Sequence, residues 1–243
     1  AMILAASRGS ALGELTEQRP KTMVKVRGRP LLSHIVAAYN AAGIKRINVV
    51  RGYLPAAVDL PALTYTDNTE YADTSELISL SRAIEADGDD SMDLYVSYGD
   101  VIFNRYILDA LRESDDEISI VVDTEWRDSV NRGRAADYVT CTQPPSRRNF
   151  YQPVFLERAA EDLAEDRIHG EWMGFLRVSA MALPRFRTAV TEMARVPGNR
   201  QAKLYHLLTH LVDKGERVRA LYTTGHWLDA DSLEDVVAAG SFA

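Results

Sequence analysis

The sequence predicts an α/β fold, in which a single domain of 243 residues forms one mostly parallel β-sheet with helices on both faces. Three observations support this prediction. Short, continuously apolar runs bounded by turn residues are typical of strands buried on both faces. Segments with apolar residues at helical spacing lie between those runs, and this alternation favours βαβ units with right-handed crossovers. Apolar residues make up 46% of the chain and charged residues 26%, as in ordinary globular domains.

The first half of the chain alternates between strand and helix patterns. The opening run AMILAA (1–6) predicts a buried strand and ends in a polar segment that contains glycine. From Leu31 apolar residues recur at helical spacing as far as Gly43, a typical helix stop. The run INVV (47–50) predicts a second buried strand. The remaining predicted elements of this half are a helix that begins between Asp73 and Glu76, a strand at 93–100, a helix at 104–113 and a strand at 117–123.

The second half begins with an irregular stretch. Between about 124 and 155 the chain is rich in Arg, Asn, Gln and Pro, which predicts a flap-like insertion within the domain 1–243 rather than a separate domain. The run at 173–183 predicts a strand, and this places Met173 and Met181 in the core. The remaining predicted elements are helices near 185–195 and 200–214, a strand at 216–223 and a helix after Ser232.

Charge and cysteine content exclude several classes of partner. The net charge is −7 with a pI near 5.3 and no basic block, which argues against nucleic acid or an anionic membrane surface as the main partner. No apolar run approaches the roughly 18 residues typical of a membrane-spanning helix. Cys141 is the only cysteine, so we expect a reducing compartment, the cytoplasm. Because the chain opens with Ala inside a strand pattern, we also expect it to be part of a longer polypeptide.

The loop after the first predicted strand is suited to phosphate groups. Small residues, among them Gly9 and Gly13, allow backbone N–H groups to approach a phosphate closely. Neither a P-loop nor the dinucleotide pattern GxGxxG occurs. The same segment carries four cationic residues, which predicts a polyphosphate site, although a solvated basic loop is the alternative. These cations are Arg8, Arg19, Lys21 and Lys25.

Three carboxylates follow other predicted strands. Asp100 comes directly after a buried strand, where Mg²⁺ sites are commonly made, although capping of the helix near Asn104 is an equal alternative. Asp229 and Asp231 alternate along an extended segment and therefore point to the same side. Ser232 is the expected N-cap of the last helix, with Asp235 in the capping-box position. Together with the cationic loop, the carboxylates favour a site for a metal and a triphosphate.

Four segments in sequence order resemble the nucleotidyltransferase family. The segment LAASRGSALGELTEQRPKTMVKVRGRPLL (4–32) resembles the signature LAAGxGxRL…PKxL, and in particular the loop of choline-phosphate and phosphonate cytidylyltransferases. The likeness continues in DNTEYADTSELISL (67–80), VSYGDVIF (96–103) and WLDADSLEDV (227–236). It spans nearly the whole chain and implies a Rossmann-like, mixed but mostly parallel sheet.

The resemblance implies a Mg²⁺-dependent enzyme that uses CTP. It assigns Lys21 and Arg8 to catalysis, and Asp100 and Asp231 to the metal, with Asp229 close by. The cytosine base of CTP is expected beside Ser79. The implied nucleotide-binding residues are Leu4, Ala5, Ala6, Ser7, Arg8, Gly9, Lys21, Thr74, Ser75, Ser79 and Asp100.

The chain departs from the family pattern at two positions. Ser7 stands where the family usually has Gly, and Ala11 stands where it usually has Arg. The second difference removes a phosphate contact, which leaves other loop cations to compensate or lowers the activity. A non-catalytic nucleotide sensor on the same fold is therefore an alternative.

The resemblance narrows the second substrate to a small phosphonate, either 2-hydroxyethylphosphonate or 2-aminoethylphosphonate. Phosphocholine and sugar 1-phosphates are the alternatives. Arg127, Arg132 and Arg134 of the predicted flap suit a phosphonate dianion, while Glu171 and Trp172 are candidates for the other end of this acceptor. The start inside a strand resembles the cytidylyltransferase part of phosphoenolpyruvate-mutase fusions in phosphonate antibiotic biosynthesis.

Overall fold

The computed structural model describes residues 1–129, 134, 136–149 and 152–241. The strands in this part of the chain are β1 (Met2–Ala5), β2 (Lys25–Val26), β3 (Arg29–Pro30), β4 (Asn48–Arg51), β5 (Thr64–Asp67), β6 (Leu94–Tyr98), β7 (Val101–Phe103), β8 (Ile118–Asp123), β9 (Tyr138–Cys141), β10 (Leu156–Ala160), β11 (Gly170–Val178), β12 (Val218–Thr223) and β13 (Trp227–Asp229). The α-helices are α1 (Leu31–Ala41), α2 (Glu76–Ala86), α3 (Tyr106–Glu113), α4 (Leu183–Ala194), α5 (Leu204–Asp213) and α6 (Leu233–Ala239).

The main sheet is mixed. Its strand order is β10-β9-β11-β6-β1-β4-β5, and β8 pairs with both β11 and β12. At its centre β1 runs parallel to β4 and β6, and β4 runs parallel to β5. The long strand β11 runs antiparallel to β6, β8 and β9. A parallel centre with an antiparallel extension confirms the predicted α/β fold class.

Helices cover both faces of this sheet, as predicted. On one face α1 and α3 bury Ile35 and Leu108 against the strands. On the other face α2, α4 and α5 bury Leu77, Phe186 and Leu207. All five side chains are almost fully shielded from solvent. Burial of this apolar surface is the main force that holds the layers together.

A smaller apolar cluster joins distant parts of the chain beside the site. It packs Leu12 of the first loop against Ile102 of β7, Leu228 of β13 and Ala239 of α6. The strands β7 and β13 pair antiparallel, with Asp229 opposite Val101. The end of the chain is thereby held next to the segments that follow β1 and β6.

The structure differs from the predicted elements after Asp100 and at the end of β11. A short strand, β7, directly follows Asp100, and α3 begins only at Tyr106, so Asp100 does not cap that helix. The strand predicted at 173–183 ends at Val178, and the chain then turns into α4. Met181 lies in this turn with 77% of its surface exposed, so its prediction as a core residue was wrong.

Part of the predicted flap belongs to the main sheet. Residues 124–129 form turns, whereas β9 pairs with β10 and β11. Arg132 lies outside the described residues. The longest helix, α4, has 12 residues, and no helix in the described ranges combines the length and the apolarity needed to cross a bilayer.

Candidate active site

The loop after β1 and the segment after β6 meet at the carboxyl edge of the central strands. Gly99 donates a backbone hydrogen bond to the carbonyl of Leu4 at 2.8 Å. A Cβ atom on Gly99 would lie 2.7 Å from the Cβ of Ala5, so only glycine allows this approach. Asp100 is consequently held beside the first residues of the loop.

Gly9 and Lys21 pack against each other within this loop. Gly9 has a φ of +72°, a conformation that favours glycine, and the amide of Lys21 donates to the carbonyl of Arg8 at 3.2 Å. The aliphatic part of Lys21 packs directly on Gly9, because a Cβ atom there would lie 2.6 Å from the Cβ of Lys21. The loop therefore fixes the start of the lysine side chain and aims it into the cleft.

The ammonium of Lys21 lies among the three predicted carboxylates. Its Nζ is 2.7 Å from Asp100 Oδ2 and 3.5 Å from Asp229 Oδ1, and it also donates to Asp231 Oδ1. The lysine side chain is only 6% exposed. The structure thus brings together four site residues that are separated by as many as 210 positions in the sequence.

The carboxylates are placed by neighbouring backbone contacts. Asp229 ends β13, and the amide of Ala230 donates to the carbonyl of Asp100 at 3.1 Å. Asp235 accepts hydrogen bonds from the amides of Asp231 and Ser232, at 3.1 and 2.7 Å, and completes the predicted capping box of α6. Arg134 of the flap donates to Asp235 at 2.7 Å. The segment that carries Asp231 is thus tied to both α6 and the flap.

The donor set of the three carboxylates fits a divalent metal ion. One oxygen from each of Asp100, Asp229 and Asp231 lies within 4.8 Å of the others. Oxygen donors of this kind are preferred by Mg²⁺. Asp229 Oδ1 is buried and makes no hydrogen bond among the described residues, although it faces the Lys21 ammonium at 3.5 Å.

Burial and mutual charge interactions shift the pKa values of the groups in this cluster. Burial, and then the charge of Asp100, hold the pKa of Asp229 well above its usual range, although Lys21 acts in the opposite direction. Burial alone lowers the pKa of Lys21, but the charges of the three carboxylates outweigh it and raise that pKa above the normal range for lysine. The arrangement therefore needs a cation at its centre.

A small cavity beside the loop contains the residues expected around the base. Its volume is 140 Å³, and Ser7, Thr74, Ser75 and Ser79 line it. The side-chain amide of Asn68 donates to the hydroxyls of Thr74 and Ser79, at 3.0 Å each. Asn68 was not among the predicted site residues, although it lies within the segment 67–80 that carries the resemblance.

A larger cleft of 720 Å³ extends away from the carboxylates. Arg8 lies at the loop end, with its guanidinium 5.4 Å from the ring centre of Tyr53. Glu171 and Trp172, the two residues proposed to bind the acceptor, line the wall of this cleft that we call the far wall. The rings of Tyr98 and Trp172 are 5.6 Å apart there.

Two further acidic residues of this wall were not predicted. Asp137 accepts a hydrogen bond from Tyr98 at 2.8 Å, and burial raises the pKa of Asp137 to about 6. Burial, and then the charge of Asp137, raise the pKa of Glu76 to about 7. Glu76 Oε2 is buried without a hydrogen-bond partner among the described residues. No local pattern marks these two side chains, because each becomes part of the cleft only through tertiary packing.

The structure does not bring Arg127 to the cleft. Its guanidinium lies 4.3 Å from the ring centre of Trp126 and 3.8 Å from the carboxylate of Glu165. The side chain is 54% exposed. Stacking on a neighbouring ring and attraction to a surface carboxylate account for this position, which differs from the predicted acceptor contact.

Comparisons with known proteins agree with this architecture. The CTP:phosphoglutamine cytidylyltransferase of Campylobacter jejuni is 25% identical over 253 residues, covering 97% of each chain. The 2-aminoethylphosphonate cytidylyltransferase of Lancefieldella rimae is 33% identical over 90 residues, which cover 35% of this chain and 37% of the relative. Among solved structures, the inositol-1-phosphate CTP transferase from T. maritima has the same fold, with a TM-score of 0.76 at 18% identity over 99% of this chain and 94% of the other.

The family model described as the MobA-like NTP transferase domain matches residues 1–185. This match includes the first loop, Lys21 and Asp100, while Asp229 of β13 and Asp231, which follows β13, lie beyond it. The resemblance to nucleotidyltransferases is confirmed. The chain belongs to the family of MobA-like NTP transferase domains.

Proposed function

We propose that this protein is a CTP-dependent cytidylyltransferase that joins CMP to a small phosphonate and releases pyrophosphate. The observation that carries the proposal is the position of Lys21 and three carboxylates beside the glycine loop, at one end of a 720 Å³ cleft. The relatives in Campylobacter jejuni and Lancefieldella rimae are both cytidylyltransferases, which supports CTP as the nucleotide.

The chemistry follows from the charges of the reactants. A phosphonate oxygen attacks the α-phosphorus of CTP, the bond from that phosphorus to the bridging oxygen breaks, and pyrophosphate leaves. Both reactants are anions, so catalysis requires alignment and neutralisation of charge more than a general base. Lys21 and Arg8 supply positive charge from the first loop. A Mg²⁺ ion held by Asp100, Asp229 and Asp231 would supply further positive charge and align the phosphate oxygens.

The nucleotide is expected to lie along the loop. The backbone from Leu4 to Gly9 faces the triphosphate, and Ser79 with Thr74 lines the small cavity suited to the base. Asn68 fixes both hydroxyls through its own amide, so these groups are oriented before the nucleotide binds.

The far wall of the cleft favours an acceptor that carries a positive charge. Glu76, Asp137 and Glu171 line this cleft together with Lys203, whose charge acts on Glu76 and Asp137. One lysine does not balance three acidic groups, so an ammonium group of the acceptor would offset the remaining cost of burying carboxylates. Of the two phosphonates that the sequence suggests, 2-aminoethylphosphonate fits this wall better than 2-hydroxyethylphosphonate. Phosphocholine is the second candidate, because the rings of Tyr98 and Trp172 adjoin the same acidic groups.

A ³¹P NMR assay tests the proposal. The protein is mixed with MgCl₂, one of the four nucleoside triphosphates, and one of 2-aminoethylphosphonate, 2-hydroxyethylphosphonate, phosphocholine or glucose 1-phosphate. We expect pyrophosphate and a CMP–phosphonate product with CTP and 2-aminoethylphosphonate, and neither product with Asp100→Asn. CTP binding without turnover of any acceptor would favour a nucleotide sensor. Turnover of glucose 1-phosphate with UTP would identify a sugar nucleotidyltransferase instead.

A further inference from the structure

The ammonium of Lys21 lies where the metal ion of the proposed reaction would bind. All three carboxylates that could hold the ion already face this single cation, and Asp100 Oδ2 is 2.7 Å from its Nζ. The lysine stem is fixed on Gly9 and its side chain is only 6% exposed, so the ammonium is not a mobile surface group.

We infer that the Lys21 ammonium and a divalent metal ion exclude one another at the carboxylates, so that the free protein holds its metal site closed. Mg²⁺ requires ligand oxygens at about 2.0–2.1 Å, and an ammonium surrounded by the same oxygens leaves no room for that coordination. This inference rests on the proposed function, because it takes Asp100, Asp229 and Asp231 as the metal ligands.

The surroundings indicate where the ammonium moves when the metal enters. The backbone of Lys21 is held by Arg8, and its stem crosses Gly9, on the loop where the triphosphate is expected. A rotation about the side-chain bonds would move the ammonium from the carboxylates to phosphate oxygens. In the absence of nucleotide, an ammonium that moved away from the carboxylates would be a buried cation without a partner, which is energetically costly.

The charges also indicate that the ammonium moves to the nucleotide when the metal enters. Exchange of the lysine for a divalent ion adds one positive charge at the carboxylates, whatever the protonation state of Asp229. The released lysine then requires an anion, and the nucleotide provides one. Metal and nucleotide are therefore expected to bind together, each favouring the other.

Binding of Mn²⁺ alone, followed by EPR of the free ion, tests this inference without any turnover. Wild-type protein is compared with Lys21→Met, which keeps an unbranched stem and lacks the ammonium. Lys25→Met is the matched control, because Lys25 belongs to the same segment and is exposed. If the ammonium occupies the site for more than nine-tenths of the time, Lys21→Met should bind Mn²⁺ at least about tenfold more tightly than wild type. Lys25→Met should stay within about twofold of wild type, as expected for a screened surface charge.

Equal Mn²⁺ affinity of Lys21→Met and Lys25→Met would overturn the inference and leave the metal site intact. No Mn²⁺ binding to any of the three proteins would overturn both the inference and the metal assignment. Circular dichroism checks that each variant is folded. Lys21→Gln replaces Lys21→Met if the latter does not fold, and the same tenfold gain is expected.

Discussion

The free energy of unfolding of Glu76→Gln, measured relative to that of wild type, should increase as the pH rises. Glu76 is a largely buried acid with an ordinary pKa of 4.5, and burial and Asp137 raise that pKa to about 7 in the folded protein. Between these two values the unfolded chain has released the proton and the folded chain has kept it, so the contribution of Glu76 to wild-type stability falls with increasing pH. One pKa unit corresponds to about 1.4 kcal/mol, and the whole shift therefore to about 3 kcal/mol.

Urea unfolding of both proteins between pH 5 and pH 8.5 measures this effect. The free energy of unfolding of Glu76→Gln relative to wild type should rise with pH by about 2–3 kcal/mol and level off above pH 7. Glu85→Gln, an exposed substitution on the same helix, should change the unfolding free energy by less than about 0.5 kcal/mol at every pH. A difference between Glu76→Gln and wild type that stays constant over this range would refute the assignment of Glu76 as a buried acid of the cleft.

Three further predictions concern the site itself. Asp100→Asn and Lys21→Ala should each lower turnover at least about 100-fold in steady-state assays, with unchanged circular dichroism, because each removes a charge from a buried site; near-normal rates would reject these roles. Gly9→Ala should lower both the melting temperature and turnover, because Gly9 has a positive φ and a Cβ atom would collide with Lys21; an unchanged melting temperature would contradict this. Arg134→Met should weaken Mn²⁺ binding in the presence of CTP about tenfold, because Arg134 holds Asp235 and thereby the segment of Asp231, a proposed metal ligand. Arg127→Met is the control, and equal affinity of both variants would argue against that support.

Local sequence patterns were sufficient to predict the fold class and the end of the cleft that faces the loop. Apolar runs identified the central strands, and glycines with nearby cations identified the first loop. Asp100, Asp229 and Asp231 could be proposed from their positions after strands, because strand ends in an α/β sheet converge on one edge. The structure places Lys21 among all three of them.

The residues of the far wall, and those that hold the site residues in place, depend on tertiary contacts that no local sequence pattern predicts. Arg134 and Asp235 are 101 residues apart in the sequence, and only folding brings their side chains together. Glu76 was predicted as a residue near a helix start, and its position in the cleft follows from how α2 packs on the sheet. Arg127 was proposed from its charge and its place in the flap, whereas the adjacent Trp126 determines where its side chain lies.

A crystal structure with CTP and Mn²⁺ tests the central claim most directly, because anomalous scattering locates the ion without assumptions about ligands. We predict one Mn²⁺ peak about 2 Å from oxygens of Asp100, Asp229 and Asp231, with the α-phosphate of CTP beside Gly9. A nucleotide bound along the loop with the ion elsewhere, or CTP bound at another part of the surface, would contradict the proposed site.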